Sequence, residues 1–214
     1  MSDPECIIFI VDDDPLVRDS VADLLAAAGF AAQTFGSATE FIQAKRPDVS
    51  ACLILDVELP DLSGLDLQTD LTKSGIEIPI IFLTGHGDIP KSVRAMKAGA
   101  VEFLTKPFRT EELVDAVRQA LERDGEFRKQ RSETLKLRER LGTLTPRERQ
   151  VLALVVTGLL NKQIAGELGT TELTIKVHRG RVMRKMRAAS LADLVRMAET
   201  LKISLPQRSS TKVE

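Results

Sequence analysis

The stretch Ala51-Cys52-Leu53-Ile54-Leu55-Asp56 sets five apolar residues in an unbroken row and closes them with a carboxylate. A strand with one face in water alternates apolar and polar residues, whereas a strand covered on both faces reads as a continuous apolar run. The same pattern recurs on either side, in CIIFIV (6–11), AAQTF (31–35), IPIIFLT (78–84) and AVEFLT (100–105). Between these runs, Pro15 to Ala28, Ser37 to Ala44, Gly64 to Lys73, Pro90 to Ala98 and Thr110 to Arg123 carry helical periodicity. Five strand–helix units within about 120 residues predict one doubly wound α/β domain with a parallel sheet.

The charges divide the chain in two. Its 214 residues carry a formal charge of only -1, yet residues 1–124 hold 22 Asp and Glu against 11 Lys and Arg, and residues 125–214 hold 9 against 19. An acidic half suits a cation and a basic half suits a polyanion, so two domains with different partners are expected, at 1–124 and 142–214. Residues 126–140 (EFRKQRSETLKLRER) are charged, free of Gly and Pro and rich in helix formers, which predicts a solvated helical linker over 125–141 that continues the fifth helix. No apolar stretch approaches the roughly 18 residues of a spanning helix, so no membrane partner and a cytoplasmic location are expected. Cys6 and Cys52 both sit inside apolar runs, which predicts buried reduced thiols.

Four helical signals follow in the basic half. Thr145, Pro146 and Glu148 form a capping-box start, Asn161 is read as the cap of a short second helix ended by Gly169, Thr171 caps a third to about Arg187, and Ser190 caps a fourth through Leu201. Two helices joined by a tight Gly-containing turn, the later one strongly basic, make a helix-turn-helix pattern. The third helix places Lys176, Arg179, Arg181, Arg184 and Lys185 beside His178. Five cations within ten residues favour DNA over a merely solvated face. Ile164, Ala165, Leu168, Ile175, Val182 and Met186 fall at core spacing.

In an open parallel sheet, ligands bind beyond the carboxyl ends of the strands. Asp12 and Asp13 end the first strand, Asp56 the third and Thr84 the fourth, and Lys106 follows the fifth. Three converging carboxylates repel unless a cation sits among them, and oxygen donors with room for water select Mg²⁺. A lysine charge and a threonine hydroxyl beside them suit phosphoryl oxygens, which makes Asp56 a candidate phosphoryl acceptor. An aspartyl phosphatase would also want a carboxylate two residues later, where Glu58 stands, but such enzymes usually add a large cap insert and this chain leaves no room for one.

The motifs IVDDDP, LILDVELPDLSGLDL, IIFLTGHGD and FLTKPF resemble the receiver domain of two-component response regulators, from Ile7 to about Leu121. The stretch LTPRERQVLALVVTGLLNKQIAGELGTTELTIKVHRGRVMRKM resembles the DNA-binding module of the FixJ/NarL (LuxR-type) regulators, from Leu144 to about Glu199. The resemblance implies a flavodoxin-like five-stranded sheet of order 2-1-3-4-5 followed by an all-α four-helix domain. It implies phosphorylation of Asp56 by a sensor histidine kinase, with Mg²⁺ held by Asp13, Asp56 and the backbone carbonyl of Glu58, and by Asp12 through water. Lys106 would bind the phosphoryl oxygens, Thr84 and Phe103 would act as the switch pair, and Lys106-Pro107 would be cis. Glu58 and His86 flank the approach of hydrolytic water and would tune the lifetime. In the basic domain the resemblance gives base contacts to Lys176 and Val177 and phosphate contacts to Lys162, Thr174, Arg179 and Arg181. Gly180 stands where some relatives carry a base-reading lysine, and Arg179 is the expected substitute. The whole is read as a regulator with no catalytic residues of its own, forming a homodimer on phosphorylation, binding promoter DNA and activating transcription with RNA polymerase as a further partner.

Overall fold

Each of the five apolar runs becomes a strand, and each is joined to the next through a helix, a connection that reverses the chain and leaves neighbouring strands parallel. The computed structural model describes residues 6–85 and 89–203. The strands are β1 (Cys6–Val11), β2 (Ala32–Phe35), β3 (Ser50–Asp56), β4 (Ile80–Thr84) and β5 (Glu102–Thr105). They pair in the order β2-β1-β3-β4-β5, the expected one, so the order reverses beside β1 and β3. The helices are α1 (Pro15–Ala27), α2 (Ala38–Gln43), α3 (Gly64–Lys73), α4 (Ile89–Lys97) and α5 (Thr110–Gly142).

Alternate residues of each buried strand face opposite ways, and so two cores form. Phe9, Val11, Leu53, Leu55 and Phe82 pack on one face with Phe41 of α2 and Leu67 and Leu71 of α3. Ile8, Ile10, Cys52, Ile54 and Ile81 pack on the other with Val21 and Leu25 of α1 and Leu113, Ala116 and Val117 of α5. Cys52 is fully buried, and burial pushes its thiol well above the usual range, which makes it an inert apolar filler, as expected, whereas Cys6 at the start of β1 is only half-buried, not buried as expected. Buried Asp124 of α5 ties that helix to the start of β3, its carboxylate accepting from the Ser50 hydroxyl and the Ala51 N–H, both at 3.1 Å.

Contacts divide the chain into two units, Met1–Lys129 and Gln130–Glu214, with α5 running continuously through the expected linker and contributing to both. In the second unit the helices are α6 (Pro146–Val155), α7 (Asn161–Glu167), α8 (Glu172–Met186) and α9 (Leu191–Thr200). Val151, Leu152, Val155, Ile164, Ala165, Ile175, Val182, Met186 and Leu194 lie in their shared core, which includes the expected residues except Leu168, half-buried and packed against it. Thr145, Thr171 and Ser190 cap α6, α8 and α9 with their hydroxyls, and α8 ends on Arg187 at φ 56°. Asn161 does not cap α7. Leu160 holds that position in extended backbone, its N–H donating to Gln163 Oε1 at 2.9 Å, while Asn161 is the first helical residue and its amide oxygen accepts from Arg179 Nη1 at 3.2 Å.

Glu148 is the buried charge on which this unit turns. Its carboxylate closes the capping box on the Thr145 N–H at 2.9 Å and accepts from Lys185 Nζ of α8 at 2.7 Å, while Lys185 also donates to the Thr143 carbonyl at 3.0 Å. The Lys185 hydrogen bond, followed by that from Thr145, holds the Glu148 carboxyl below the ordinary range against the effect of burial. A depressed folded value contributes stability above the unfolded pKa of about 4.3, and the contribution is lost as pH falls through the folded value. Glu148→Gln is expected to destabilise the second unit by about 1–3 kcal/mol at neutral pH. The difference from the wild type should narrow on acidification below about pH 4; paired denaturation curves across pH check this.

Candidate functional site

Strands β1 and β3 are neighbours, and the crevice at their carboxyl ends gathers charge. Asp12 and Asp56 are buried there and Asp13 is exposed, with one carboxylate oxygen of each lying within 4.8 Å of the others. Lys106 reaches in from the end of β5, its Nζ 2.6 Å from Asp12 Oδ2 and 3.2 Å from Asp56 Oδ2. Its own backbone is anchored by the bond from the Lys106 N–H to the Thr84 carbonyl at 2.7 Å, and the Lys106-Pro107 peptide is cis, as the resemblance implied. Burial raises the Asp56 carboxyl above its usual value, and the charge of Asp12 adds to this while Lys106 opposes both. Burial works against the Lys106 ammonium, yet its bond to Asp12 and the charges of Asp56 and Asp12 outweigh that and hold it above the ordinary lysine value.

The surrounding backbone aims these groups. Asp12 Oδ1 accepts the Asp14 N–H at 3.0 Å, Asp14 caps α1 through the Leu16 N–H at 2.9 Å, and Asp56 Oδ1 takes the Glu58 N–H at 3.3 Å. Thr84 is buried at the end of β4, and Phe103 is half-buried beside Phe82, their ring centroids 6.1 Å apart. The Glu58 side chain is exposed and pairs with Lys91 Nζ of α4 at 2.8 Å. His86 lies outside the described residues.

Two supporting residues escaped sequence reasoning. Arg18 of α1 donates to the Asp12 carbonyl at 2.6 Å, steadying the β1 exit. A Cβ built on Gly64 would collide with the Asp56 carbonyl oxygen, and the Gly64 N–H bonds the Val57 carbonyl at 3.0 Å, so the start of α3 lies directly against the backbone of Asp56. The Ser63-Gly64 pair at the head of a helix was the available signal, but it reads equally as an ordinary helix start.

A site with only oxygen donors, two of the three carboxylates buried and a single ammonium to offset them, suits a hard divalent cation. The donor set therefore fits Mg²⁺.

On α8, Ile175, Val182 and Met186 are fully buried, and Lys176, Val177, Gly180, Arg181 and Arg184 are exposed on the outward side. Lys162 is exposed on α7. Thr174 is half-buried with its hydroxyl 2.8 Å from that of Thr171, and Arg179 is half-buried on Asn161. Of the five cations of this helix, Arg179 and Lys185 are thus engaged by the scaffold and three project freely outward. His178 is half-buried, and its Nδ1 has no hydrogen-bond partner among the described residues.

Residues 8–118 match the response regulator receiver domain family, and residues 142–198 match the bacterial regulatory proteins of the luxR family. This chain is a FixJ/NarL-type response regulator. The regulator is 54% identical to nodulation protein W of Bradyrhizobium diazoefficiens over 98% of its own length and 92% of that protein's. It is 46% identical to the transcriptional regulatory protein FixJ of Rhizobium meliloti over 89% of its length and 94% of that protein's. Among solved structures, the response regulator StyR matches at 49% identity with a TM-score of 0.76, covering 91% of this chain and 98% of that one. Full-length FixJ from B. japonicum matches at 37% identity with a TM-score of 0.56, covering 95% of this chain and all of that one.

Gly64→Ala is expected to push the Asp56 backbone out of place. The cost should be about 1–3 kcal/mol of receiver stability, with weakened Mg²⁺ binding, read by chemical denaturation and by metal titration; unchanged values for both would show that α3 yields at no cost.

Proposed function

We propose that this regulator is a transcription factor activated by phosphorylation of Asp56 from a sensor histidine kinase, pairing into a homodimer and binding promoter DNA through α8. The observation that carries the reading is the meeting of Asp12, Asp13, Asp56 and Lys106 at the strand ends, in one chain with an outward basic helix. An Asp56 oxygen attacks the phosphorus of a phosphohistidine, the P–N bond breaks, and the imidazole leaves with the electron pair, giving an acyl phosphate. Lys106 donates hydrogen bonds to the incoming phosphoryl oxygens in place of those it makes to the carboxylates. Asp13, Asp56 and the Glu58 carbonyl, with Asp12 through water, would hold Mg²⁺, which would supply positive charge to offset the phosphoryl oxygens. Glu58 and His86 border the approach of the hydrolytic water and set how long the phosphoryl group persists. The kinase-borne phosphohistidine and the promoter both belong to the cytoplasm, where RNA polymerase completes the set of partners.

The switch runs from Asp56 to a receiver face. Thr84 moves onto the phosphoryl oxygens and Phe103 follows, and α4 with β5 is the surface beside them. That surface already offers Ile89, Val93 and Met96, all exposed and spaced at successive turns of α4. In the DNA-binding domain, Lys176 and Val177 reach base edges while Lys162, Thr174 and Arg181 hold phosphates; Arg179, expected as a further phosphate contact, is instead bonded to Asn161.

Acetyl phosphate with Mg²⁺ is expected to add one phosphoryl group, seen by intact mass. Asp56→Asn should abolish it, whereas full labelling of that variant would mean another acceptor. Phosphorylated wild type should sediment as a dimer at micromolar concentration and Val93→Asp should remain a monomer; a phosphorylated wild-type monomer would count against the α4 surface.

A further inference from the structure

Helix α8 carries an exposed apolar line that its basic character obscures. Leu173, Val177, Gly180 and Arg184 stand at successive turns of one face, opposite the buried Ile175, Val182 and Met186. Leu173 is 72% exposed and Val177 47% exposed, at the amino-terminal end of the helix, which enters a groove first in helix-turn-helix proteins. Lys176, Arg181 and Arg184 surround them with positive charge, which favours a polyanion over an apolar protein surface as the occupant. Within the major groove the only apolar group on a base edge is the 5-methyl of thymine.

Gly180 sits in the middle of the same face. A Cβ built there meets nothing within 4 Å, so the described chain offers no packing reason for a glycine that weakens a helix interior. Its use lies outward: a bare backbone lets the groove floor come close to the turn between Val177 and Arg184. Arg179 does not fill the gap, because its guanidinium is turned toward Asn161 of α7.

We infer that Leu173 is a specificity-determining residue that, with Val177 and the bare backbone at Gly180, reads thymine methyl groups in the half-site. This deepens the proposed role of α8 as a groove helix and rests on it.

The test uses the full-length protein, phosphorylated with acetyl phosphate and Mg²⁺, to select duplexes from a random pool. The selected duplex is then remade with deoxyuridine in place of thymidine at one position at a time, which removes a single methyl group. The wild type should lose about fourfold in affinity at one or two positions, the factor for burying one methyl group. Leu173→Ala should bind thymine and uracil alike at one of these positions and still discriminate at the position read by Val177. Gly180→Ala should raise the thermal midpoint and yet weaken binding. Equal affinity of the wild type for thymine and uracil at every position overturns the inference and leaves the groove role of α8 standing, as does full discrimination by Leu173→Ala. Selection of no sequence at all overturns both. Intact DNA binding by Leu173→Ala together with lost association to a protein assigns the face to protein and overturns the inference.

Discussion

The ammonium of Lys106 between Asp12 and Asp56 is the interaction around which the receiver is arranged. Two buried carboxylates brought to one crevice repel each other and lose hydration, and the cost is tolerable only with positive charge at hydrogen-bond distance. That requirement explains the local architecture. β1 and β3 must be neighbours, β5 must deliver a lysine from the far edge of the sheet, and the Thr84 carbonyl must hold the Lys106 backbone so that the side chain points inward. Among the described residues a single ammonium leaves the three-carboxylate cluster short of charge balance, the condition under which an all-oxygen site suits a divalent cation.

The sheet that supports this crevice tolerates little adjustment. Its strands are apolar on both faces, so a register slip by one residue would exchange Phe9, Leu53 and Phe82 for Ile8, Cys52 and Ile81 between two differently shaped cores. Gly64 shows the tightness at the site itself, where α3 begins against the Asp56 carbonyl with no room for a methyl group. A cradle of this kind leaves little room for local adjustment around Asp56.

The DNA-binding domain solves an opposite problem, keeping a helix in place while leaving one face bare. Its three buried residues on α8 point into the core, and Lys185 and Arg179, which would otherwise add to the outward charge, are drawn inward by Glu148 and Asn161. Positive charge on this helix is therefore partly structural. Counting cations along the sequence overstates how many are available to a ligand.

Fold class and most helix bounds were legible in the amino-acid sequence because each rests on a local regularity: continuous apolar runs for buried strands, 3.6-residue spacing for helices, and hydroxyl residues at the starts of α6, α8 and α9. The strand order was implied only by the family resemblance of the motifs. The meeting of Asp12, Asp13, Asp56 and Lys106 was legible too, since strand ends in a parallel sheet converge and the charged residues fell there by position. What only the tertiary structure decided were contacts between residues far apart in the chain. The cap position of α7 falls on Leu160, and the Asn161 amide oxygen instead meets an arginine 18 positions later. Glu148 looked like half of a capping box and proved also to be the partner of Lys185. Arg18 under Asp12, Gly64 against Asp56 and the line from Leu173 to Gly180 on the open side of α8 depend likewise on which face of each helix the core consumes, and periodicity narrows that choice without settling what lies opposite.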